Sequence, residues 1–178
     1  LGQNPGTNHP RMLSALQKAK ENGCTIISVN PLPETGLLSF SNPQTIKGAL
    51  GIKTKLTDIF LQIKINGDMA FLKAIELLLL EQEEKSPGNV FDQQFIAAHT
   101  MGYEKLVENI KQHNVEELSE TCGISLDQLK EVAQVLKTKN KIIACWAMGL
   151  TQHKNAVETI QEVVNLLLLK GSIGKPGA

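Results

Sequence analysis

The chain is predicted to form an α/β domain with a Rossmann-like parallel sheet and helices on both faces. Three short apolar runs, Cys24–Val29, Asp58–Ile63 and Lys141–Trp146, alternate with longer stretches that carry helical periodicity. Nearly continuous apolar character is typical of strands buried on both faces of a parallel sheet. Strands separated by helices connect through right-handed crossovers. We therefore expect the three runs to be neighbours in one sheet and residues 1–178 to form a single domain.

Start and stop signals place the helices between these runs. Pro10 suits the first turn of a helix that closes at Gly23, and Gly171 closes the last helix. The predicted helices cover residues 11–22, 67–84, 91–99, 103–112, 115–121, 125–137 and 154–170. The segment 34–56 is expected to be irregular, and the charged run 81–85 is interpreted as a solvated helix end.

Composition excludes several classes of protein. Eighteen basic and eighteen acidic residues leave no net charge, so nucleic acid is not an expected partner. The apolar runs 77–80 and 166–169 fall far short of the roughly 18 residues that span a bilayer. Three cysteines without a C-x-x-C pair are interpreted as buried structural thiols, which favours a reducing, cytoplasmic location.

Four unusual segments are expected at one edge of the sheet. They are residues 2–8, 28–31, 66–68 and 148–152, and each follows a predicted strand or opens the chain. Ligands of open α/β sheets bind beyond the carboxyl ends of the strands. One extended ligand is therefore predicted to touch all four segments.

The opening turn suits a diphosphate. Gly2 and Gly6 permit tight backbone geometry, and the helix after Pro10 presents amides and a positive dipole end. Its side-chain donors are Asn4, Thr7 and Asn8, and His9 lies beside them. The turn matches neither common phosphate-binding motif. An ordinary connection in which Asn8 caps the helix stays open as the alternative.

Two further segments carry candidate ligand contacts. The carboxylate of Asp68, after Gly67, can accept both N1–H and the 2-amino group of guanine, a pair that adenine does not offer. The alternative is that Asp68 is only a helix N-cap. In the loop after the third run, Met148 can lie on a ring, Gly149 allows close approach, and Gln152 can donate and accept. A well-packed loop is the alternative there.

No catalytic residue or metal ligand is predicted within the chain. The four histidines lack ligand spacing, and we find no nucleophilic triad or carboxylate pair in the sequence. Any reacting group would therefore have to come from elsewhere.

Several longer strings resemble one family. They are GQNPGTNHPRM, IISVNPLPETGL, LTDIFLQIKINGDMAF, FIAAHTMGYEKL and CWAMGLTQHKNAVETIQEVVNLLLLKGSIGKPGA, in that order along the chain. Together they resemble the molybdopterin oxidoreductases, and most of all the formate-dehydrogenase-like alpha subunits. The resemblance implies molybdenum or tungsten held by two molybdopterin guanine dinucleotides, and a small substrate such as formate.

The resemblance also implies roles for individual residues. The turn 2–8 would contact phosphate and sugar, Asp68 would bind guanine, and the loop 148–152 would lie near the pterin. Ser28, Asn30 and Pro31 would line the nucleotide. Many relatives have Asp-Pro-Arg where this chain has Asn30-Pro31-Leu32, which leaves a charged contact there in doubt.

The family's iron–sulfur cysteines and metal ligand match no residue of this chain. We therefore expect a fragment of a longer enzyme, inactive alone, that works with other domains of the same chain. A non-catalytic nucleotide-binding or regulatory module on the same fold is the alternative. A dinucleotide-dependent dehydrogenase is disfavoured because G-x-G-x-x-G is missing.

Overall fold

The protein mixes helices with a small parallel sheet, as predicted for the α/β class. The structure is a computed structural model that describes residues 1–46 and 48–178. The chain divides into two compact units, residues 1–63 and residues 64–178. That the two units act as a single domain stays a prediction.

The first unit contains the sheet. Its elements are α1 (Pro5–Asn8), α2 (Pro10–Glu21), β1 (Ile27–Asn30), α3 (Thr35–Leu38), β2 (Ser39–Phe40), α4 (Ile46–Ala49), β3 (Thr54–Lys55) and β4 (Ile59–Gln62). Strands β1 and β4 pair in parallel, with Ile27 opposite Ile59, while β2 and β3 form a small antiparallel pair. Val29 and Leu61 face each other in this register and are buried. The predicted parallel pairing of these two runs is confirmed.

The second unit is built around one long helix. Its elements are α5 (Asp68–Lys85), α6 (Gln93–His99), α7 (Tyr103–Lys111), α8 (Val115–Cys122), α9 (Leu126–Thr138), α10 (Met148–Thr151) and α11 (Ala156–Leu169). Helices α7, α8, α9 and α11 pack against α5. Ile75 and Leu79 of α5 are fully buried. Because α5 has neighbours on several sides, it is apolar around most of its circumference.

The third predicted strand is not formed. Residues 141–147 belong to no strand, and within the described residues β1 and β4 alone make up the parallel sheet. Exposure alternates along this segment, and Ile143 is 71% exposed. The backbone N–H of Ile142 donates to Ser172 Oγ (3.3 Å). An apolar β-branched run favours a strand only where a partner edge meets it, and that pairing is not local.

The interpretation of the cysteines is correct for one of the three. Cys122, at the end of α8, is buried, whereas Cys24 and Cys145 are exposed. Cys24 precedes β1, which begins only at Ile27, and Cys145 lies in the segment that forms no strand. Both residues lie in apolar runs for which the sequence predicts a buried strand, and the prediction of burial fails because neither residue lies in a strand.

The charged end of α5 is not uniformly solvated, contrary to expectation. Glu83 is 4% exposed, and its carboxylate accepts the backbone N–H groups of Gly88 (2.6 Å), Val90 (2.9 Å) and Phe91 (3.0 Å). It also accepts from Gln93 Nε2 (2.7 Å). One carboxylate therefore holds the whole turn between α5 and α6.

Candidate functional site

The end of β1 holds the opening turn of the first unit in place. The N–H of Gly2 donates to the carbonyl of Val29 (3.1 Å). The Asn30 side chain brackets Gln3, because Oδ1 accepts the Gln3 N–H (3.0 Å) and Nδ2 donates to the Gln3 carbonyl (3.1 Å). Asn30 is 4% exposed, so both bonds are shielded from water. The turn is fixed by a buried amide.

A close approach of two glycines shapes the next residues. A Cβ on Gly36 would lie 2.9 Å from the Cα of Gly6, a distance that no real Cβ tolerates. Asn4 caps α1, because its Oδ1 accepts the N–H of Thr7 (3.2 Å) while its Nδ2 donates to Glu34. The need for glycine at position 6 was predicted from the sequence, but its close approach to Gly36 was not.

The alternative in which Asn8 caps the second helix is wrong. Asn8 is the last residue of α1, and the N-cap of α2 is His9, which makes no side-chain capping bond. Thr7, Asn8 and His9 are exposed where α2 begins. Their side chains are therefore available to a ligand at this helix start.

Ser28 and Asn30 lie in β1 rather than in the loop after it. Both are buried, and Asn30 Nδ2 also lies 3.4 Å from Ser28 Oγ. Pro31 is exposed, and its carbonyl accepts from Gln62 Nε2 (3.1 Å). Asn30 thus positions the turn, Ser28 lies buried beside it, and of these three residues only Pro31 offers an open surface.

Replacing Asn30 with alanine is expected to lower the free energy of unfolding by about 2–3 kcal/mol, because two partly buried groups of Gln3 lose their partner. Chemical denaturation of the 178-residue chain measures the effect. Asn8→Ala, at an exposed position, is the matched control and should change stability by less than about 0.5 kcal/mol. Equal stability of the two variants would contradict the positioning role.

In the second unit, a tight turn precedes α5. Asn66 has φ +67°, and it is the one non-glycine residue with positive φ in the described part of the chain. Its Oδ1 accepts from His153 Nδ1 (2.8 Å), which ties the turn to the residues after α10. Asn66 belongs to the predicted segment 66–68, whereas His153 and its bond to Asn66 were not predicted. An asparagine directly before a glycine is a signal for left-handed backbone that could have indicated the turn.

Gly67 has a structural reason to be glycine. It is the N-cap of α5 and is buried. A Cβ there would lie 2.8 Å from the Cα of Cys122 and 2.9 Å from the carbonyl oxygen of Lys64. Both obstacles are backbone atoms, which cannot rotate away. A ligand contact at Gly67 stays a prediction beside this packing role.

The Gly67→Ala variant is expected to lose about 1–3 kcal/mol of stability, because α8 must move away from the turn. Thermal or denaturant unfolding measures this loss. Asn66→Gly is the neighbouring control, since glycine adopts the same positive φ without strain and should be tolerated better. A Gly67→Ala protein as stable as the unmodified chain would show that the close approach to Cys122 is not maintained.

Asp68 is not the N-cap of α5, so the purely capping alternative is wrong. It is the first helical residue, after the cap at Gly67, and it is 7% exposed. Burial raises the pKa of its carboxyl, while its own backbone N–H and the nearby His153 act in the opposite direction. The result is a buried carboxylate at the first helical position, hydrogen-bonded to its own backbone N–H rather than serving as the N-cap.

The predicted loop at 148–152 is largely a short helix. Met148–Thr151 form α10, and Leu150 is buried at 1% exposure. Met148 is 64% exposed, and Gly149 and Gln152 are exposed as well. Leu150 therefore fixes the helix, while the three candidate residues face outward.

The described residues contain no group of three His, Cys, Asp or Glu side chains able to hold a metal ion. In that same part of the chain, no helix is long and apolar enough to cross a membrane. The cytoplasmic location stays a prediction. That one ligand touches all four segments also stays a prediction, because the segments belong to two units.

No family model matches the chain. The chain is 51% identical to an uncharacterized oxidoreductase of Mycobacterium tuberculosis over 177 residues, 99% of this chain and 23% of that protein. It is 37% identical to Protein YdeP of Escherichia coli, over all of this chain and 24% of the relative. It is 26% identical to formate dehydrogenase H of Escherichia coli, over 100% of this chain and 22% of that enzyme.

A solved structure shares the fold. Acetylene hydratase from Pelobacter acetylenicus superposes with a TM-score of 0.75 at 17% identity, over 93% of this chain and 20% of that chain. The chain thus spans about a quarter of the length of the relatives it matches. The resemblance in the motifs is confirmed: the chain is similar to part of longer oxidoreductases, a formate dehydrogenase among them.

Proposed function

We propose that this chain binds one guanine dinucleotide of a molybdenum or tungsten cofactor, as part of an oxidoreductase. Asp68 is the observation that carries the proposal. A buried carboxylate is costly, and a protein retains one where it gains something else. Guanine offers two adjacent donors, which match the two oxygens of one carboxylate.

The residues of the first unit fit the polar part of such a group. Thr7, Asn8 and His9 are exposed at the start of α2, a helix of 12 residues. A helix start favours phosphate through its N–H groups and its dipole. In this proposal, Gly2, Asn4 and Gly6 set the conformation of the turn. Ser28 and Asn30 lie buried beneath it, and Asn30 holds it in place.

The residues around α10 fit the flat end of the group. Met148, Gly149 and Gln152 combine a polarizable side chain, an open backbone and an amide that can both donate and accept. When bound, the cofactor supplies the electron transfer, whereas this chain binds and orients it. Formate is the substrate we propose for the whole enzyme, with an iron–sulfur cluster ligated by other residues, and we expect this chain alone to be inactive.

The test is a titration of the chain with guanosine diphosphate and with adenosine diphosphate. We expect the guanine nucleotide to bind at least about tenfold more tightly, because adenine lacks the paired donors. Equal affinities for both nucleotides would contradict the assignment of Asp68. A non-catalytic module on the same fold would also bind nucleotide. Cysteines able to ligate an iron–sulfur cluster, found in the flanking sequence of the same gene, would favour the enzyme over that module.

A further inference from the structure

A cluster of ionisable side chains lies in the second unit, away from the residues discussed so far. We call it the acid cluster; it consists of Glu76 and Lys73 on α5, Glu162 on α11 and His113 after α7. Glu76 is fully buried. A carboxylate pair separated by 86 positions leaves no spacing signal, which is why the sequence did not predict it.

The charges of the acid cluster balance without Glu76. Lys73 Nζ pairs with Glu162 Oε1 (2.8 Å), and both side chains are only 12% exposed. Lys73 also donates to Asn109 Oδ1 (2.8 Å), and Asn165 Nδ2 donates to Glu162 Oε2 (2.9 Å). One positive charge therefore meets one negative charge, and both partners are otherwise hydrogen-bonded.

Glu76 is left without a hydrogen-bond donor from any described residue. Neither of its carboxyl oxygens accepts a hydrogen bond within the described residues, although both are buried. Burial raises its pKa well above the ordinary glutamate value, and Glu162 raises it further through its charge and through a hydrogen bond between the two side chains, while Lys73 acts in the opposite direction. Burial and Lys73 lower the pKa of His113, while Glu162 acts in the opposite direction, so the net shift favours the uncharged ring.

The other helices packed on α5 add no charge to this position. Helix α8 buries the Cys122 thiol, and burial raises the pKa of that thiol. Helix α9 buries Leu129, Val132 and Ala133. Among the described residues, the charges that act on Glu76 are those of Glu162 and Lys73.

We propose that Glu76 is a buried proton-binding site that keeps the interface between α5 and α11 closed when protonated and opens it when ionised. Loss of the proton leaves two carboxylates facing one lysine in a dry interior, where the second negative charge has no compensation. Water must then enter between the two helices. The proton that leaves goes to solvent, and no other reactant is needed.

The interface is placed to affect the candidate ligand contacts. Helix α5 begins at Asp68, and α11 packs on α10, which carries Met148 and Gly149. An opening between α5 and α11 would therefore change the spacing of these two segments. That consequence rests on the proposed function, but the opening itself does not and can be measured without any ligand.

The single tryptophan of the chain, Trp146, lies two residues before α10, the helix that packs on α11. Its fluorescence emission is followed in the 178-residue chain from about pH 5 to about pH 9. We expect a red shift as the pH rises, because Trp146 gains contact with water. Circular dichroism at each pH checks that the helices persist.

Variants identify the group responsible. Glu76→Gln should abolish the transition, while Glu81→Gln, at an exposed position on the same helix, should leave it unchanged. Glu162→Gln frees Lys73 to compensate Glu76 and should move the transition to lower pH; it also decides the matter if Glu76→Gln does not fold. A transition that persists in folded Glu76→Gln, that stays in place in Glu162→Gln, or that is absent from the unmodified chain would overturn the proposal.

Discussion

Replacing Glu83 with alanine is expected to lower the free energy of unfolding by at least about 3 kcal/mol. The carboxylate accepts three backbone N–H groups, and those of Val90 and Phe91 belong to buried residues. Each buried N–H left without an acceptor costs about 1–3 kcal/mol. Denaturant unfolding at neutral pH measures the loss. Glu81→Ala, on the same helix but exposed, is the control and should stay within about 0.5 kcal/mol of the unmodified chain.

The Glu83 carboxylate should also make the stability of the chain fall as the pH is lowered. Burial alone would raise the pKa of Glu83, but hydrogen bonds from Gly88, Phe91, Gln93 and Val90 outweigh it and lower the pKa. When the pKa of a carboxyl is lower in the folded than in the unfolded state, its stabilising effect is fully present above the pKa of the unfolded state. The effect is lost as the pH falls through the pKa of the folded state. Glu83→Gln should therefore be less stable at neutral pH and lose less on acidification. An unchanged slope of stability against pH in this variant would contradict the role of the carboxylate.

The helices of the second unit were predictable because local signals fix their ends. Ser125 forms a capping box with Gln128, Asn114 and Asp92 cap α8 and α6, and Gly123 ends α8 in the left-handed conformation. All of these interactions join residues close in sequence. Consequently, the predicted ends of these helices lie within two residues of the observed ends.

Features that depend on distant residues were not predictable. Gly6 requires a glycine 30 positions away at Gly36, and the Glu76–Glu162 pair joins α5 to α11. In the sequence, Glu83 cannot be distinguished from the other charged residues at the end of α5. Its burial depends on the following turn, which packs back over it and donates to its carboxylate. The strand expected at 141–146 failed for the same reason, since apolar composition does not provide a partner edge.

The candidate site was predictable to a different degree in each unit. Asp68 stood out by position, after a glycine and before an apolar helix, and the structure adds that it is buried and does not cap. Asn30 was predicted to contact the nucleotide, whereas in the structure its side chain holds the main chain of Gln3. A side-chain amide that brackets a distant backbone cannot be recognised from sequence spacing.

Replacing Asp68 with asparagine is expected to weaken binding of the guanine nucleotide by about 30- to 150-fold, or about 2–3 kcal/mol. Asparagine keeps one acceptor but presents an NH₂ group to a guanine donor, so one charge-assisted hydrogen bond is lost and two donors face each other. Asp68→Ala should also weaken binding, without the clash of donors. Titration with guanosine diphosphate measures affinity in this chain.

Stability separates recognition from a structural role for Asp68. Because burial raises the pKa of this carboxyl, the folded protein favours its neutral form, and the charge destabilises the ligand-free protein as the pH rises above the unfolded value. The neutral Asp68→Asn side chain should therefore leave the protein at least as stable at neutral pH. A residue that served the fold would show the opposite pattern, with lost stability and unchanged affinity. Weaker nucleotide binding in a protein that unfolds no more easily is the combination that guanine recognition requires.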